Sequence, residues 1–178
     1  MSYYLNIYVV SHEEISDLLQ EDPSVVRSKL AEALGESEER FLGKLLIKDY
    51  ERDPDTWESE DANGLIMSLE RLCDFAANEK STIDFYLDED RLPELWSFSF
   101  NDWDEVNDFE LPVSPQGTPA VIYRDNRSLI EYLERFKSMV AGGDFDESCI
   151  SADSLKDLIN IVESSVGNND GLFIFCCQ

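Results

Sequence analysis

The chain has 178 residues, 43% apolar and 11% aromatic, and 39 acids against 14 bases give it a formal charge of −25. That length is most simply one domain, with enough apolar material to bury roughly 70% of the surface its unfolded form would expose. A surface so negative repels DNA, RNA and anionic lipid, which are held mainly through Lys and Arg on phosphate, so direct nucleic-acid or membrane-surface binding is disfavoured.

Residues 3–10 alternate Leu5, Ile7 and Val9 against Tyr4, Asn6 and Tyr8, which predicts a first strand. Ser11 is placed to cap a helix, with Glu13 and Glu14 in its first turn where the helix dipole favours negative charge. Asp22 and Pro23 repeat the signal, followed by Val26, Leu30 and Leu34 on one stripe until Gly35. Ser37 opens another helix with Phe41, Leu42, Leu45 and Leu46 inward. Residues 49–63 lack periodicity, are dense in carboxylates and contain Pro54, the pattern of a solvated loop.

From about Ala62, the positions Leu65, Ile66, Leu69, Leu72, Cys73 and Ala76 follow helical spacing and predict a central helix. Residues 83–87 and 95–100 read as extended, the second because Trp96, Phe98 and Phe100 alternate with Ser97 and Ser99. Pro112, Pro115, Gly117 and Pro119 punctuate a loop before a short edge strand at 120–123. Asp125 or Asn126 then caps a helix carrying Leu129, Ile130, Leu133, Phe136 and Val140, ended by Gly142 and Gly143. Ser151 or Asp153 opens the last helix, with Gly167 after it, and residues 172–177 are apolar on both faces. A strand of that kind needs cover on both sides, so it belongs in the sheet interior beside the first strand.

The segment 84–110 holds ten carboxylates against Arg91, threaded between Phe85, Tyr86, Trp96, Phe98, Phe100, Trp103 and Phe109. An acidic stretch so rich in large rings must bury part of itself, which makes it an ordered acidic surface rather than a solvated tail. Its candidate partner-binding residues are Asp88, Glu89, Asp90, Trp96, Asp102, Trp103, Asp104, Glu105 and Asp108, with the tryptophans as apolar anchors.

Catalytic and cofactor motifs are lacking. His12 is the single histidine and no GxSxG elbow accompanies it, so a helix-start residue whose pKa is raised by its acidic neighbours is the expectation. Gly43 and Lys44 form a GK pair, but Glu38 stands where a P-loop has glycine. The acidic triplets Asp88, Glu89, Asp90 and Asp102, Asp104, Glu105 lack EF-hand spacing, so no metal or cofactor is expected. Sequence does not set the separation of a carboxylate acid and base, and Trp96 and Trp103 suit either a ligand groove or the core. Cys73, Cys149, Cys176 and Cys177 form no CxxC, and the vicinal pair points to opposite faces of a strand, so buried reduced thiols are expected. There is no apolar run of about 18 residues to span a membrane and no signal core at the first residues, which suggests a cytoplasmic protein.

The opening Met1-Ser2-Tyr3, the segment Leu69-Glu70-Arg71-Leu72-Cys73, the loop Leu111-Pro112-Val113 and the run Gly171-Leu172-Phe173-Ile174-Phe175 together resemble an uncharacterised family of small acidic bacterial proteins. In size and charge the chain is also similar to immunity proteins and antitoxins. The expected fold is α+β: a small mixed or antiparallel sheet with the first and last strands central, covered by about five or six helices. The expected function is inhibition of a basic protein, such as a toxin or nuclease, by covering its active or nucleic-acid-binding surface. The alternative is a carboxylate-based enzyme or small-ligand domain.

Overall fold

A computed structural model describes residues 2–31, 36–46, 59–86, 91–100, 120–143 and 145–177. Four strands, β1 (Ser2–Val9), β2 (Glu79–Tyr86), β3 (Ala120–Arg124) and β4 (Leu172–Cys177), form an antiparallel sheet in the order β2-β1-β4-β3. The register places Tyr4 between Asp84 and Cys177, and Ile7 between Ser81 and Ile174. The α+β class, the central placing of β1 and β4, and the short edge strand β3 all agree with the sequence.

Seven helices are found among the described residues: α1 (His12–Gln20), α2 (Pro23–Leu30), α3 (Glu36–Leu46), α4 (Ser59–Ala76), α5 (Pro93–Phe100), α6 (Asn126–Gly142) and α7 (Ala152–Asn168). That is more than the expected five or six, and the addition is α5. Local chemistry sets their starts. Ser11 and Glu14 form a reciprocal capping box on α1, and Asp22 caps α2 with Pro23 at its first position. Asp125 and Ser151 cap α6 and α7. Gly143, at φ 69°, ends α6 in the left-handed conformation, where a side chain is strained. α7 runs through Gly167 and ends instead at Asn169, φ 59°, a residue type that tolerates that region.

Strand alternation sends successive side chains to opposite faces, and helices cover both. On one face Leu5, Ile7, Val9, Ile83, Phe85, Leu172 and Ile174 pack against α5, α6 and α7 through residues such as Phe98, Phe136, Leu158 and Val162. On the other, Tyr8, Val10, Val121, Phe173 and Phe175 pack against α1 to α4, with Ile15, Leu30, Leu45, Leu69 and Leu72 facing them. β4 is therefore buried on both sides, as its unbroken apolar run requires.

Residues 95–100, expected as a strand, are helical in α5. The alternation of rings and serines is real, but Leu92, Leu95, Phe98 and Ser99 are the buried positions, a three- and four-residue spacing that seats one helical face. Pro93 at the first position adds a helix-start signal. The C-terminal end of α5 is held by Arg124 of β3, only 2% exposed, whose guanidinium donates to the carbonyls of Ser97 and Phe98 and lies over the Tyr132 ring at 5.2 Å. A cation is favourable there because the last carbonyls of a helix lack intrahelical partners and carry partial negative charge.

Candidate binding surface

Of the partner-binding residues chosen from sequence, only Trp96 falls within the described residues. It is half-buried on α5 and its backbone N–H donates to the Leu92 carbonyl. Asp88, Glu89, Asp90, Asp102, Trp103, Asp104, Glu105 and Asp108 lie outside them. The described beginning of the acidic segment is the end of β2, Asp84 to Tyr86, where Asp84 and Tyr86 are exposed and Phe85 is buried. No carboxylate with a described side chain is buried.

The two faces of the sheet differ above β2. The cluster formed with α1 to α4 takes residues from β1, β3 and β4, and among the described residues none from β2. Beside the flank of α4, the described residues of this face are exposed or half-buried over β2 and the start of β1. Tyr4 (38% exposed), Asn6, Thr82, Asp84 and Tyr86 (50% exposed) occupy it, because even-numbered residues of both strands share the face that carries Tyr8. Sequence alternation marks Tyr4 and Asn6 as opposite to Leu5 and Ile7, but their partial exposure beside Glu70 of α4 is a tertiary feature with no local signal.

A hydrogen-bonded row runs from the covered to the open half of this face. Glu70, on the flank of α4, accepts from the Tyr8 hydroxyl at 2.9 Å and from Asn6 Nδ2 at 2.8 Å, both on Oε1. The Thr82 hydroxyl donates to Asn6 Oδ1 at 2.9 Å. Burial first, then the Glu70 charge, push the Tyr8 hydroxyl well above its ordinary pKa. Tyr4 is raised chiefly by its cross-strand neighbour Cys177, with lesser contributions from burial and Glu70. Burial raises Cys177 itself, Glu70 adds to this, and the hydrogen bond with Tyr4 works against it. These groups are thus neutral at physiological pH, and the tyrosines present hydroxyl donors and ring faces. Lys80, at the far end of β2, is paired with Asp74 of α4.

A groove of about 610 Å³ lies between α5 and α6, lined by Arg91, Pro93, Glu94, Glu131, Glu134, Arg135 and Met139 among others. Its cations are engaged: Arg91 bonds Asp146 and Ser148, each at 3.3 Å, and Arg135 lies over Tyr132 at 5.5 Å. Hydrogen bonds from Ser148, and more weakly the charge of Arg91, hold the Asp146 carboxyl below the usual carboxylate range. This mixed-charge groove carries no preference for one sign of ligand.

His12 is the first residue of α1, with Nδ1 3.3 Å from the Ser16 hydroxyl and its ring edge-on to Tyr123 at 5.5 Å, a packing position. Among the described residues, no group of three or more His, Cys, Asp or Glu is placed to hold a metal ion, and no helix is long and apolar enough to cross a membrane. Comparison with protein-family models, with curated proteins and with solved structures finds no match for this chain.

Proposed function

We propose that this chain is a cytoplasmic binding protein of the inhibitor kind, comparable with immunity proteins and antitoxins, that covers a basic surface on a target such as a toxin or nuclease. The observation that carries this is the charge of −25 on a surface-borne set of carboxylates, none of the described ones being buried. Self-repulsion on that scale costs stability, and a complementary basic partner offsets it on binding. The acidic segment 84–110 begins at an open, tyrosine-bearing half of the sheet, which supplies the ring surface that charge alone lacks.

The test is capture of partners from the native host, followed by binding kinetics at several salt concentrations. A basic partner should associate at a rate that falls steeply with ionic strength, because screening acts on the encounter. Reversing Asp102, Asp104 and Glu105 to Lys should weaken binding without unfolding the chain. An acidic partner, or a triple variant that binds like the wild type, overturns the proposal.

A further inference from the structure

We propose that the outer edge of β2 is an interaction surface on which an extended basic segment of the partner adds as a fifth strand, a role that rests on the basic-partner reading above. β2 stands at the end of the sheet order, with β1 on its inner side. Backbone bonds beyond the ladder fix which of its groups face outward. The Val9 carbonyl accepts from Asn78, on the β2 side, and the Val10 N–H donates to the Gly171 carbonyl, on the β4 side. Successive residues of a strand turn their N–H and C=O to opposite sides, so the odd-numbered residues of β1 bond to β2. They stand opposite odd-numbered residues of β2, Leu5 with Ile83 and Ile7 with Ser81. Lys80, Thr82, Asp84 and Tyr86 therefore turn both backbone groups away from β1, and the Tyr86 N–H, which donates to the Cys149 carbonyl, agrees. Among the described residues, the backbone groups of Lys80, Thr82 and Asp84 have no partner on that side.

Both ends of this edge are pinned, Glu79 by the Ser164 hydroxyl and Tyr86 by Cys149, so the stretch between them is held extended before anything binds. The opposite edge, β3, is only five residues long, and a short strand is a poor template. Main-chain bonds to an added strand carry the affinity, and the side chains beside them carry the selectivity. Charge decides the occupant. Glu79 and Asp84 are exposed on β2, Asp88, Glu89 and Asp90 follow it in the sequence, and Lys80, the cation of the strand, is paired with Asp74. A second copy would bring two chains of −25 together at that edge, whereas a segment bearing Lys or Arg is drawn to it and gains a favourable cross-strand pair opposite Asp84.

The test is amide hydrogen exchange by NMR on the full chain, alone and with an acetylated, amidated Lys-Val-Arg-Val-Lys-Val peptide at moderate salt. In the free chain the Lys80, Thr82 and Asp84 amides should exchange fast, and those of Ser81 and Ile83, bonded to β1, slowly. The peptide should slow the first three about tenfold at a concentration about ten times its dissociation constant. Lys-Pro-Arg-Pro-Lys-Pro, which keeps the charge but lacks half the donors, should give no protection, and neither should the peptide with glutamate at its basic positions. Proline is tolerated on an edge strand where its N–H would face solvent, so Thr82→Pro should keep the native circular dichroism. It should weaken peptide binding about tenfold, the scale of one or two lost hydrogen bonds. If that variant does not fold, the proline peptide decides. Slow exchange of the three amides in the free chain, or equal protection by the proline or glutamate peptide, overturns the assignment. A dimer of the free chain that protects the same amides gives the edge to a second copy and also overturns it. A captured basic partner that leaves these amides unprotected refutes the added strand and leaves the inhibitor reading standing. Protection by the basic peptide with only acidic partners captured does the reverse.

Discussion

Among the described residues Arg124 is the charged side chain inside the core, and it fastens α5 to the edge of the sheet. Replacing it by leucine keeps most of the volume but strands the Ser97 and Phe98 carbonyls in an apolar setting. Hydrogen bonds to charged groups contribute about 1.5–3 kcal/mol, so Arg124→Leu should destabilise the chain by about 2–3 kcal/mol. The urea midpoint should fall at unchanged slope, and amide exchange should quicken first in α5. Arg124→Lys should fall between the two, since it keeps the charge but loses the fork and the stack on Tyr132. At the same scale the thiols set an alkaline limit. Burial pushes Cys176 from 9.0 up to about 12, and Cys73 and Tyr8 are raised by the same cause. A group whose folded pKa is raised contributes stability that is complete below its unfolded pKa and lost as pH rises through the folded one. Stability measured by denaturant should thus decline from about pH 9 towards 12, and Cys176→Ala should flatten part of that decline.

At the level of elements, the two central strands were readable because burial writes itself into their composition. β1 alternates because one of its faces is partly open, and β4 does not because neither is. β2 extends to Glu79, four residues before its expected start, since Glu79, Lys80 and Ser81 pair with Val9, Tyr8 and Ile7 while carrying the polar side chains of an edge. α5 was misread because eight residues are too few for the two periodicities to separate, and the arginine that settles the matter lies outside the segment. The open patch was legible only in part: Asp84 and Tyr86 sit in the acidic segment, whereas Tyr4, Asn6 and Glu70 come together through pairing that no local spacing encodes. The position of β4 makes a plain prediction. Deleting residues 172–178 removes the strand between β1 and β3, exposes the apolar faces of both helical layers and leaves backbone groups of two strands unpaired. The truncated chain should not fold solubly, and a monomer with native circular dichroism would contradict the architecture.

For the molecule as a whole, charge and its screening dominate the response to solvent. The described ion pairs, Lys29–Glu21, Lys80–Asp74, Arg91–Asp146 and Lys137–Glu163, are exposed to solvent and each contributes at most about 1 kcal/mol. Their loss on adding salt is outweighed by relief of repulsion among 39 acids. Melting temperature should therefore rise with NaCl, on the order of 2–8 °C between low salt and about 0.5 M, if one to two kcal/mol of repulsion is screened in a chain of this size. A flat or falling melting temperature would show the acids to be compensated by pairings of their own. The same sheet order has a consequence for synthesis. On the ribosome β1 emerges ahead of the other described elements of the fold, yet one of its two ladder partners, Leu172–Cys177, is translated after every described helix. Until then the nascent chain carries an apolar strand with an unfilled edge, the form most exposed to misassembly with a neighbouring copy. Closure of the sheet therefore waits on the last strand of the fold, and the dense negative charge along the intervening chain keeps such half-made molecules apart until β4 arrives.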